Sequence, residues 1–254
     1  MLGEILSVEI FAFMMVFVRL GAALMVMPGF GEPSIPARYR LSMALFITLA
    51  LSPLVVPLIP AQPDSGLEIF LLVGGETVIG LVIGATGRLM MTALHTAGTV
   101  IAFQSSLGFA QLVDPTQGIQ GAMVASFFSV LGVVLIFATD LHQMMLRALY
   151  DSYALFPPGR VPDTGDLATM AQGLLSGSFR VGMQIAAPFI VYGITFYIGV
   201  GLLTRLMPRL PIFFVIMPLQ ITASLIILAI VLSSSMIWFL NYFEGRMAAL
   251  LMVG

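Results

Sequence analysis

Residues 98–121 read GTVIAFQSSLGFAQLVDPTQGIQG, a polar, glycine-containing passage set between runs of membrane-grade apolar sequence. Its centre, Gly108-Phe109-Ala110-Gln111-Leu112-Val113-Asp114-Pro115, opens on the residue most tolerant of unusual backbone angles. It closes on the residue that fixes φ and pushes its predecessor out of the helical region. In a soluble protein this would be a surface loop. Between membrane helices two readings stand: a short exposed connector, or irregular backbone held in a protein-lined cavity, where backbone at lipid depth can lack helical bonds. Around it the apolar runs define the fold class as all-α, of integral-membrane type, with about six long hydrophobic helices taken as hairpins.

Composition sets that class independently. Of 254 residues 59% are hydrophobic and 9% charged, with mean hydropathy +1.08, far from the roughly 25% charged residues of soluble domains. Glu4 and Glu9 lie near the start with no basic residue before the first apolar run. That run therefore lacks the positive flank of a cleaved secretory signal and is expected to remain in the mature protein. The absence of Cys excludes disulfides, thiolate metal sites and Cys nucleophiles. A net charge of −2 without a basic patch gives no reason to expect nucleic acid. All ten basic residues are Arg, whose planar fork suits charges settled inside a protein interface, although a GC-rich genome would give the same bias. No Ser/His/Asp set, paired Asp, metal-ligand spacing or P-loop stands out, so neither enzyme chemistry nor a cofactor is expected.

Along the chain, residues 5–27 are long enough to span, and Arg19 interrupts them. An ionisable group there is costly unless it faces protein or water, so Arg19 reads as an interface or cavity residue. Pro28, Gly29, Gly31, Pro33 and Pro36 make a loop, closed by Arg38 and Arg40 before an apolar run over 41–59. A third run begins at Leu67, and within it Glu76, Gly80, Gly84 and Arg88 recur every fourth position as one slanting stripe. The two charges stand about 18 Å apart and are too distant to pair with each other. Gly80 and Gly84 permit close approach of a neighbouring helix, leaving Glu76 and Arg88 to find partners on other segments or chains; an ion or proton site is the alternative.

The apolar pattern weakens through His95, Gly98 and Gln104 and resumes at 123–138. Asp140, His142, Arg147 and Asp151 are expected on a continuation of the same helix, with an i,i+4 pair between Arg147 and Asp151. Asp163 or Asp166 is expected to cap a helix. The 181–203 run should kink at Pro188 and make a close contact at Gly199 and Gly201. A break at 205–211 precedes the last run, 212–240, which contains Pro218 and is followed by a short amphipathic tail with Glu244 and Arg246.

Several of these pieces together resemble the FliR/SctT family of export-gate proteins. They are Arg19 with Pro28-Gly29-Phe30-Gly31 and Ile35-Pro36; Arg40 and Pro53; Glu76 with Gly80; Gly108-Phe109 with Val113-Asp114-Pro115; Leu155-Phe156-Pro157; and Gly201-Leu202-Leu203-Thr204-Arg205 followed by Pro208 and Pro218. The resemblance covers nearly the whole chain and is specific in combination. It departs at Arg209-Leu210-Pro211, where the family usually carries Gln and Asn.

The resemblance implies one FliR-like domain over 1–254, with 1–121 and 122–254 as approximate FliP-like and FliQ-like portions. It implies a non-enzymatic subunit that assembles with FliP-like and FliQ-like partners into a helical, cone-shaped gate, alongside FlhA-like and FlhB-like export components. Unfolded flagellar subunits would pass through it. The location implied is the bacterial inner membrane and flagellar basal body, with much of the gate above the membrane plane. Residues 105–121 would form a plug in the pore. Phe103, Leu107, Phe109, Leu112 and Val113 have the bulk to fill a narrow lumen and expel water, Gly108 supplies a hinge, and Asp114-Pro115 fixes the return of the chain. Arg19, Glu76, Gly80, Gly84, Arg88 and Arg205 are the candidate packing and assembly residues. The alternative function is an ion-coupled small-molecule transporter using Glu76, Arg88, Asp114 and Arg19 around helices broken at Pro188 and Pro218; it requires an internal repeat, and none is evident.

Overall fold

Helix α1 (Leu2–Val26) has its buried face written in its register. Phe11, Ala12, Met15, Val16, Arg19, Leu20, Ala23 and Leu24 are all buried, at steps of three and four that put them on one side of a helix. The computed structural model describes residues 2–107, 123–159, 164–207 and 212–251. Among them every regular element is helical: α1, α2 (Ala37–Val55), a 3-10 turn (Val56–Leu58), α3 (Gly66–Gln104), α4 (Met123–Ala138), α5 (Leu141–Leu155), α6 (Thr164–Leu206) and α7 (Ile212–Leu251). Among the described residues five helices are long and apolar enough to cross a membrane, and α4 with α5 supplies a sixth span if that bent pair counts as one.

Several boundaries differ from the sequence expectation. The 39-residue α3 continues through Gly98 to Gln104 without a break. Asp140 does not continue α4: it sits at φ 60°, in the left-handed region, and α4 and α5 meet there at 77°. The supposed tail with Glu244 and Arg246 belongs to α7, which runs to Leu251. Gly199 and Gly201 face open space, so the close contact expected there is not made among the described residues. Asp166 lies in the first turn of α6, where a carboxylate opposes the positive end of the helix dipole.

The chain groups into two compact units. One takes residues 1–90, 136–175 and 243–254; the other takes 91–135 and 176–242. In the first, α1 packs along α2, and Val16, Leu20, Val55 and Tyr153 form a buried cluster flanked by Ile47, Leu51 and Ile59. The buried stripe of α2 is Ala44, Thr48, Ser52 and Val55, whereas Leu41, Leu45, Phe46, Leu49 and Leu54 point outward. The Thr48 and Ser52 hydroxyls donate to Ala44 O and Leu49 O of their own helix, so small polar groups are buried without unpaired donors.

In the second unit the end of α3 lies between two neighbours. Gly98 meets the backbone of Ala125 while Gly132 meets Leu94 and Met91, which makes α3 and α4 antiparallel. Gly182 packs on Ala93 and Thr96, and Gly193 on Gln104, so α6 runs parallel to α3. The Ser178 and Tyr242 hydroxyls lie 3.0 Å apart and tie α6 to α7.

Candidate functional site

Arg19 is 0% exposed, an extreme burial for a guanidinium. Its Nε and Nη2 donate to the two carboxylate oxygens of Glu76, at 2.5 and 2.9 Å, in the two-pronged arrangement that a planar fork favours. Nη2 also donates to Phe156 O at 3.0 Å, and Nη1 to Ser152 O at 3.2 Å and Ser152 Oγ at 3.4 Å. The guanidinium carbon lies 3.9 Å from the centre of the Tyr153 ring, adding a cation–π contact. Phe156 O and Ser152 O belong to the C-terminal end of α5, where unsatisfied carbonyls collect and a cation is favoured. One side chain of α1 thus holds α3 through a carboxylate and α5 through its terminal carbonyls. A guanidinium and carboxylate satisfied in this way are poor candidates for carrying an ion or proton.

The rest of the stripe seen in the sequence lies against the same helix. A Cβ on Gly80 would fall on the carbonyl oxygen of Arg19, and one on Gly84 on that of Ala23. Gly87 follows against the Pro28 ring. Positions rise together on both helices, so α1 and α3 run parallel in backbone contact. At the far end Arg88 Nη1 donates to Glu32 Oε1 at 2.6 Å, and that oxygen also accepts the Gly29 N–H at 3.3 Å. The expected partners of Glu76 and Arg88 are therefore Arg19 and Glu32. The Gly80/Gly84 face is occupied by α1 of this chain, which makes it a folding surface. Arg205 is separate: it is exposed, in the last turn of α6.

Of the candidate plug residues, Phe103 is 59% and Leu107 39% exposed at the end of α3. Gly108, Phe109, Leu112, Val113, Asp114 and Pro115 lie outside the described residues. The root of this passage contains a residue that sequence reasoning missed. Gln220 on α7 is buried and hydrogen-bonded to both Gln104 and Ser106. Its signal was a lone amide in a long apolar run, where a polar side chain needs a partner. Among the described residues no three of His, Asp and Glu stand together as a metal site.

The model of the family described as bacterial export proteins, family 1, matches residues 10–245. Flagellar biosynthetic protein FliR of Caulobacter vibrioides is 41% identical over 237 residues, covering 93% of this chain and 94% of that protein. The chain belongs to the FliR/SctT family of bacterial export proteins. Its FliR relative in Escherichia coli is 30% identical over 83% of this chain and 80% of its own length. The Yop proteins translocation protein T of Yersinia pestis is 24% identical over 72% of each chain. The matched family segment includes both Arg19–Glu76 and the α3 root, so this member of the FliR/SctT family is a membrane protein of the export class with both features inside its family region.

Proposed function

We propose that this chain is a non-enzymatic subunit of a flagellar protein-export gate, joining FliP-like and FliQ-like subunits to form a channel for unfolded flagellar proteins. The observation carrying this reading is near full-length similarity to a flagellar biosynthetic protein. Its long helices support the need for protein partners. At about 1.5 Å per residue, α3, α6 and α7 reach roughly 58–64 Å, about twice the hydrocarbon thickness of a bilayer. Phe46, Phe70, Phe214 and Ile230 are each at least 70% exposed, and apolar surface beyond the lipid needs protein cover. FlhA-like and FlhB-like components would act beside the gate, and its place would be the inner membrane and basal body, partly above the membrane plane. Residues 105–121 would project into the pore and help close it by excluding water.

The transporter alternative gains no support from this geometry, because Arg19 and Glu76 saturate each other and Arg88 engages Glu32. Co-expression with FliP-like and FliQ-like partners tests the assembly: the three should co-purify as one complex, and a chain that stays alone in detergent contradicts it. Deleting residues 105–121 should leave that complex intact and raise ion leakage. Unchanged leakage would remove the plug from the proposal.

A further inference from the structure

The end of α3 is fastened by a side chain of α7 and lies close against α6. Gln220 is 1% exposed and lies two residues after Pro218 on α7. Its Nε2 donates to Gln104 O at 2.6 Å and to the Tyr197 hydroxyl at 3.2 Å, while its Oε1 accepts from Ser106 Oγ at 2.7 Å. One buried amide thus uses both donors and its acceptor on three residues. Gln104 is the last residue of α3, and its own amide oxygen lies where a Cβ on Gly193 of α6 would fall. Ser106 has φ 59°, a left-handed conformation that an L-residue other than glycine keeps only when something holds it. Ser106 N–H reaches Phe103 O at a long 3.4 Å, so the hydroxyl bond to Gln220 is the shorter tether.

We infer that Gln220 is a positioning residue of the gate: it locks the end of α3, where the side chains of Phe103 and Leu107 are exposed. The inference rests on the gate reading above. A polar lock suits a part with two positions, because water can replace its few hydrogen bonds, whereas apolar packing resists such exchange. The neighbouring Pro218 leaves α7 without one backbone hydrogen bond, giving movement of that helix a route to Gln220.

The test uses cells producing the full chain with its FliP-like and FliQ-like partners, and reads potassium efflux, export of flagellar subunits and the amount of assembled complex. Gln220→Met keeps the length and volume of the side chain without its hydrogen bonds. Efflux should rise about tenfold at unchanged complex, the shift expected when the two of its three hydrogen bonds that hold the end of α3 are lost from a two-state equilibrium. Adding Ser106→Gly, which adopts the left-handed conformation unaided, should reverse most of the rise. A merely structural Gln220 would not be rescued in this way. Unchanged efflux in Q220M at normal complex, or no reversal by Ser106→Gly, overturns the inference. If Q220M does not accumulate, Ser106→Ala removes only the half-buried hydroxyl and should raise efflux by itself; wild-type efflux then overturns the lock. Deleting the gene separates the two readings: intact export defeats the gate assignment, whereas lost export with silent lock variants defeats the lock alone.

Discussion

Glu76→Ala would strip the carboxylate from a guanidinium that has no exposed surface. Arg19 would keep Ser152 O, Ser152 Oγ and Phe156 O as acceptors, but no negative charge would face it. Breaking one side of a buried ion pair costs about 3–5 kcal/mol, mostly the penalty of the abandoned charge. For a chain of this size that lowers the unfolding midpoint by roughly 6–20 °C. The double variant Arg19→Met, Glu76→Leu removes both charges and should recover much of the loss. It should not recover all of it: Ser152 O still accepts the Phe156 N–H at 2.8 Å, but Phe156 O loses the Arg19 donor, at about 1–3 kcal/mol if left dry. Arg19→Lys should fall well short of wild type because an ammonium can neither fork across a carboxylate nor stack flat on Tyr153. The assay is the thermal midpoint of detergent-purified protein, followed by size-exclusion chromatography, with the amount in membranes alongside. A Glu76→Ala protein that melts with wild type, or a double variant no better than the single, refutes the reasoning.

Outcomes at four further positions follow from local geometry. Gly84→Leu should lower stability by about 1–3 kcal/mol or prevent accumulation, because its Cβ meets the α1 backbone; Gly199→Ala, in open space within a helix, should be neutral or gain up to ~1 kcal/mol, both read as thermal midpoints of the isolated chain. Arg88→Ala should cost no more than about 1 kcal/mol by the same measurement, since its pair with Glu32 is partly exposed, at 40% and 26%. At the corner between α4 and α5, Asp140→Gly should hold or slightly raise the midpoint and Asp140→Val should lower it by about 1–2 kcal/mol, because only the former accepts φ 60° without strain.

What could be read in advance follows from which signals are local. The helical membrane class was legible because the apolar runs are long and their interruptions few. Arg19 and Glu76 were legible as individuals, since a charge in such a run must have a reason. Their pairing was not, because 57 residues separate them and no periodicity links separate helices. The stripe through Gly80 and Gly84 announced a close approach but not which helix would make it. Gly98 looked like the start of a break, yet it is the point at which α3 admits the backbone of Ala125 and carries on. Asp140 was invisible as a corner because neither Gly nor Pro marks it. Gly199 and Gly201 misled in the opposite sense: a missing Cβ makes room, and among the described residues nothing enters it.

The Arg19 arrangement also sets an order of events during synthesis. Its last acceptor, Phe156, lies 137 residues downstream, so at roughly 5–20 residues per second it leaves the ribosome about 7–27 s after Arg19 does. Glu76 arrives earlier, and until then α1 carries a bare guanidinium, which at the centre of an inserting helix costs about 2.5–3.5 kcal/mol. The nascent first helix is therefore held less firmly in lipid than its apolar neighbours until α3 and then α5 complete the set. Variants that slow translation between residues 76 and 156 should expose α1 to membrane quality control while leaving the finished fold untouched.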